Sequence, residues 1–177
     1  KIYRDTANDF FDQFIPFLRI SAIWLPLYFF MVLFFIINFP KKAFAWLAIG
    51  GFAVTATDIV SSRFFKPLIG RLRPCNDPSM AADIHLLASY CGQNGSFTSS
   101  HAANHFALAT FFFITLHGVW GKWCYLFFAW AFLICYSQVY VGVHYPFDVA
   151  GGALLGVFAG GVAGNFFNKR AGKPARY

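Results

Sequence analysis

Five stretches of the chain, roughly 20–39, 43–61, 101–117, 123–140 and 148–167, are apolar on nearly every face. A helical run of about 20 such residues spans the hydrocarbon of a bilayer. A helix without a polar face has no place on the surface of a water-soluble domain. Each run stops at a charge, a Pro or a Gly cluster. The 177 residues are 58% hydrophobic and only 12% charged, more apolar surface than a soluble core of that size needs. The expected fold is therefore all-α: a polytopic membrane helix bundle of about five spans, forming a single domain over residues 1–177. No cleavable signal peptide is visible. Residues 1–19 mix Lys1, Arg4 and Arg19 with Asp5, Asp9 and Asp12 around Phe10, Phe11, Phe14 and Ile15. That pattern reads either as an amphipathic helix lying in the interface or as the frayed end of a longer first span.

Charge orients the bundle. Lys41 and Lys42 follow the first run, Lys122 separates the third and fourth, and Lys169, Arg170, Lys173 and Arg176 follow the fifth. With five spans all of these fall on one side, which the positive-inside rule makes cytoplasmic. The opposite side receives the N-terminal segment, the long stretch 62–99 and the short link 141–147. Arg63, Lys66, Arg71 and Arg73 cluster there, as a binding site would have it. Cys75 and Cys91, 16 residues apart, could close that outer segment in an oxidising compartment. Cys124 and Cys135 sit inside a span as small apolar residues. His101 and His105 have the spacing of a zinc-binding helix, but the chain contains no Glu to complete such a motif, and no metal or other cofactor is expected.

The polar stretch 70–98 reads as a loop, with a short helix near 80–88. "GGALLGVFAGGVAG" in the last run places small residues at intervals of three to five, a signature of close helix packing. Three clusters border the outer side. In "KPLIGRLRP", Lys66 and Arg73 are seven residues apart and suit a phosphate, although Pro67 and Gly70 disturb the helix between them. In "SFTSSHAANH", Thr98, Ser99 and Ser100 are capping types ahead of His101, and a capped helix start binds anions. In "SQVYVGVHYPFD", Pro146 suits the first turn of a helix. His144 then stands just outside that helix, and the carboxylate of Asp148 can reach back to its imidazole. Taken singly, the clusters also read as ordinary basic residues at a span end, a solvated histidine and a helix cap. His105, one turn deeper than His101, reads as a hydrogen-bonded packing residue.

Together the three clusters resemble the signature motifs of the type-2 phosphatidic acid phosphatase superfamily, within residues 62–148. The first motif, Lys, six residues, Arg-Pro, is complete in Lys66, Arg73 and Pro74. The second, Pro-Ser-Gly-His, reads Thr98, Ser99, Ser100, His101. The third, Ser-Arg, five residues, His, three residues, Asp, reads Ser137, Gln138, His144 and Asp148. The resemblance implies metal-independent hydrolysis of a lipid phosphate or pyrophosphate at the outer face of a bacterial inner membrane. Candidate substrates are undecaprenyl pyrophosphate, phosphatidylglycerol phosphate, phosphatidic acid and lipid A phosphates. It implies His144 as nucleophile forming a phosphohistidine, Asp148 as its orienting partner and His101 as acid and then base. Lys66, Arg73, Ser99, the backbone at Ser100, and Gln138 would hold the phosphoryl oxygens. The implied partners are the lipid substrate and the bilayer, with no nucleic acid. Gln138 stands where the family pattern has Arg and brings no charge, a loss worth on the order of 3–4 kcal/mol of transition-state stabilisation. Arg63 or Arg71 is a candidate replacement. Without one, the expectation is a weakly active or inactive member that binds lipid phosphate headgroups.

Overall fold

A computed structural model describes residues 8–80, 84 and 86–174. Helix α1 (Asp9–Leu18) leads through a short 3-10 turn to α2 (Leu25–Asn38), and α3 (Pro40–Ile59) follows directly. A π-helical segment, Val60–Phe65, joins α3 to the single turn α4 (Lys66–Ile69). After the loop come α5 (Ser100–Trp120), α6 (Tyr125–Tyr140) and α7 (Pro146–Ala171). Among the described residues there is no strand. Within those residues, four continuous stretches are long and apolar enough to cross a membrane: Ser21–Asn38, Pro40–Met80, Ser100–Tyr140 and Pro146–Ala171. The third is broken at Gly121, whose φ of 55° ends α5, so the five apolar runs become α2, α3, α5, α6 and α7.

The bundle is inverted relative to a soluble protein. Phe29, Phe44, Phe52, Leu154 and Phe158 project outward from the spans, where lipid tails solvate them. Inside, Phe35 stacks on Trp46 at 4.3 Å and Trp46 on Phe112 at 5.2 Å, which ties α2, α3 and α5 together. Helices α5 and α7 meet most closely. A Cβ added at Gly152, Gly156 or Gly160 would collide with the carbonyl oxygens of Ser99, Ala103 and Ala107 respectively. The small-residue stripe thus lets one backbone lie on the other.

Helix α1 is amphipathic, with Phe10, Phe11, Phe14 and Phe17 outward and Ile15 buried. It is a separate helix and not the start of α2. Lys1, Arg4 and Asp5, which belong to the same sequence reading, lie outside the described residues. So does Arg176. Of the helix expected near 80–88, residues 81–83 and 85 lie outside them, while 84 and 86–88 are not helical and Met80 ends a 3-10 turn. At the end of the bundle away from the motifs, Lys42 Nζ donates to the carbonyls of Gly172 (3.1 Å) and Lys173 (3.2 Å), so the α2–α3 turn and the end of α7 share one face.

Candidate active site

Pro146 opens α7 behind an extended Tyr145, and Asp148 becomes the third helical residue. Its Oδ2 accepts the Tyr145 N–H at 2.9 Å and the hydroxyl of Ser96, and its Oδ1 accepts Arg71 Nη1 at 3.2 Å. His144 Nδ1 stands 3.6 Å from Oδ2 and 3.4 Å from Ser96 Oγ. The other ring nitrogen, Nε2, lies 3.5 Å from Arg73 Nη1. Arginine can only donate, so Nε2 is the acceptor and Nδ1 carries the proton toward the carboxylate. Burial, the largest influence, pushes His144 below its ordinary value; the Arg73 and Lys66 charges add to this and Asp148 opposes it. The imidazole is thus neutral, with its lone pair beside a cation.

The loop builds the cationic wall. Gly70, at φ 60°, ends α4 in the left-handed conformation, so Lys66 and Arg73 do not share one helical face. The chain instead runs extended and folds back. Ser96 N–H donates to Arg71 O at 2.8 Å, Asn76 Nδ2 to Gly92 O at 3.0 Å, and Arg73 Nε to Asn94 O at 3.2 Å. A disulfide between Cys75 and Cys91 closes this segment. A Cβ on Gly95 would clash with the Lys66 carbonyl, so that glycine is needed for the approach, and one on Gly92 would press on Arg73 Cζ at 3.1 Å. Lys66 is buried and sits within electrostatic reach of Arg73, Asp58 and Asp148.

Helix α5 supplies the third wall. Ser99 is its N-cap, accepting the Ala102 N–H, and its own N–H donates to Asp148 O at 2.9 Å, joining the starts of α5 and α7. Thr98 does not cap. Its hydroxyl donates to Ser61 Oγ at 3.0 Å, and Ser100 Oγ pairs with the same Ser61 at 2.9 Å. The backbone N–H groups of Ser100 and His101 have no acceptor among the described residues. They face outward from the helix start, as an anion site requires. His101 stacks over His105 with ring centroids 6.3 Å apart. His105 is held by the His101 carbonyl at 2.8 Å and Tyr28 Oη at 3.1 Å, a positioning role.

Two expectations about Gln138 need correction. Arg71 does not replace a cation there: it is bonded to Asp148 and lies 3.9 Å over the Tyr145 ring. Arg63 is exposed on the π segment. Gln138 itself is 1% exposed; its backbone carbonyl accepts the Val143 and His144 N–H groups, and its Nε2 has no acceptor among the described residues. The structure also adds residues that the sequence reading passed over. Ser96 joins Asp148 and His144, with no motif to mark it. Arg19, read from the sequence as surface charge, has a buried Nε and acts electrostatically on Arg73 and His101.

A family profile described as the PAP2 superfamily matches residues 46–171. A lipid A 4'-phosphatase of Bacteroides thetaiotaomicron is 34% identical over 156 residues, which are 86% of this chain and 68% of that protein. Another, from Porphyromonas gingivalis, is 30% identical over 150 residues, 81% of this chain and 61% of that protein. The crystal structure of Aquifex aeolicus LpxE superposes with a TM-score of 0.64 at 27% identity, covering 90% of this chain and 88% of that one. A PAP2-type phosphatidylglycerolphosphate phosphatase from Bacillus subtilis shares the fold, with a TM-score of 0.65 at 22% identity over 93% of this chain and 80% of that one.

Proposed function

This chain belongs to the PAP2 superfamily, and on that premise we propose that it hydrolyses the phosphate ester of a membrane lipid through a phosphohistidine on His144. The observation that carries the reading is the His144 ring, backed by Asp148 at Nδ1 and presenting Nε2 beside Arg73. Nε2 attacks phosphorus as the bond to the lipid oxygen breaks, and His101 gives that oxygen a proton. His101 then takes a proton from water, the water oxygen attacks the phosphohistidine, and inorganic phosphate leaves with His144 restored. Lys66, Arg73 and the open N–H groups at Ser100 and His101 stabilise the charge spreading over the phosphoryl oxygens.

The two lipid A 4'-phosphatase relatives favour a phosphorylated glycolipid of the lipid A type over the other candidates. An apolar cavity of about 390 Å³ between α2, α3 and α5, reaching His105 and Asn104, suits a hydrocarbon tail. The site would face the periplasm, opposite the lysine-rich end of the bundle. A second reading, headgroup binding with little turnover, is favoured by the uncharged Gln138. The deciding experiment is free-phosphate release from a panel of lipid phosphates by the detergent-purified chain. Turnover abolished by His144→Ala, inhibited by vanadate and indifferent to chelators is the expected result. Turnover that survives His144→Ala overturns the mechanism, and binding without turnover selects the second reading.

A further inference from the structure

Helix α1 is docked at the site. Asp12 accepts the hydroxyl of Tyr140 at 2.7 Å, and Tyr140 is the last residue of α6, two beyond Gln138. After Leu18 the chain turns sharply, Trp24 Nε1 donating to the Leu18 carbonyl at 2.8 Å. The Trp24 ring packs on Trp130 at 5.9 Å, and the other edge contacts of Trp130 are Tyr28 and His105. Arg19 lies at the pinned end of α1. Its Nε is buried and has no acceptor among the described residues. Burial first, and the charge of Arg73 second, hold its guanidinium below the ordinary arginine value. The charge of Arg19 in turn reaches His101.

Arg19 and Arg73 act on each other electrostatically, and like charges in a partly buried setting repel unless an anion lies between them. The neighbouring carboxylates are already engaged. Asp148 serves Arg71, Ser96 and the Tyr145 N–H, Asp12 serves Tyr140, and Asp58 serves Asn104. A second buried donor, Gln138 Nε2, is equally without an acceptor. The cluster therefore has donors and positive charge to spare and lacks an acceptor carrying negative charge.

We propose that Arg19 and Gln138 jointly bind a phosphoryl oxygen of the substrate, Arg19 delivering from the surface helix the positive charge that Gln138 cannot bring. The assignment rests on the phosphatase reading. It makes α1 part of the substrate site, and the surplus of donors suits a phosphate monoester dianion.

The test uses the full chain in detergent, with lipid phosphate turnover and orthovanadate binding measured separately. Arg19→Gln should lower kcat/KM by about 10- to 1000-fold, the range for losing one charge-stabilising contact, and weaken vanadate binding at least about tenfold (about 1.4 kcal/mol). In that background Gln138→Arg should recover at least about tenfold, which restored helix docking alone would not achieve. Turnover and vanadate affinity within about twofold of the parent in Arg19→Gln, or no recovery in the double variant, overturns the proposal. If Arg19→Gln does not fold, Arg19→Lys decides. A charge without the fork should lose at least about threefold in vanadate affinity, and an unchanged affinity counts against the assignment. A chain that turns over no lipid phosphate yet binds vanadate through Arg19 refutes the phosphatase reading and leaves the anion site standing.

Discussion

At the residue scale, the candidate site divides into side chains marked by spacing and side chains brought in by folding. His144 and Asp148 were legible because Pro146 fixes where α7 begins, and four residues then suffice to join ring and carboxylate. Ser96 was not legible: it lies 48 residues before His144, in a loop without periodicity, and meets it only when the loop folds back on Arg71. Its hydroxyl is fully buried and donates to Asp148 Oδ2, beside the Nδ1 of His144. A buried hydrogen bond to a charged group contributes about 1.5–3 kcal/mol. Ser96→Ala should therefore lower kcat about tenfold or more while KM stays within about twofold, because in the proposed mechanism Ser96 orients the nucleophile and does not bind the substrate. Steady-state kinetics on one lipid phosphate checks this. A variant that loses only KM would make Ser96 a binding residue, and one with unchanged kcat would reduce it to packing.

At the element scale, the apolar runs predicted the spans well because a membrane helix has to satisfy its whole backbone internally, so its length is written in its hydrophobicity. The interruptions were less visible. The π segment Val60–Phe65 carries no residue that announces it, and α5 and α6 are parted only by the 3-10 turn Gly121–Cys124. The glycine stripe of α7 was legible as a packing face, though not as the device that registers α7 on α5. Gly156 sits over the Ala103 carbonyl, one turn below the bond from Ser99 N–H to Asp148 O. Gly156→Val should drive α7 off α5, lower the thermal unfolding temperature and lower turnover with it. Gly161→Ala meets nothing within 4 Å and should be tolerated. Fluorescence-detected melting of both variants in the same detergent makes the comparison, and equal melting temperatures would remove the registering role from the stripe.

At the scale of the whole molecule, the two ends of the bundle are chemically distinct, and that asymmetry supports one last prediction. One end gathers Lys42 and the carbonyls after α7. The other gathers His101, His144, Arg71, Arg73 and the disulfide between Cys75 and Cys91. Charge made this division readable in the sequence, because lysines bordering spans settle on the cytoplasmic side. The bond itself could be anticipated only as a possibility, since spacing does not fix pairing. Closing a loop of that length stabilises the folded segment by about 3 kcal/mol in the chain-entropy model. Just past Cys91, Asn94 supplies the carbonyl that holds Arg73. Reduction should therefore lower both melting temperature and turnover, whereas a metal-dependent enzyme would respond to chelation instead. The remaining cysteines, Cys124 and Cys135, are buried and should stay silent to a polar reagent. An impermeant maleimide applied to intact cells should then label the chain only after mild reduction, and label Cys75 and Cys91 alone. Labelling that appears only once the inner membrane is permeabilised would turn the bundle over and put the site on the cytoplasmic side, against the lysine pattern.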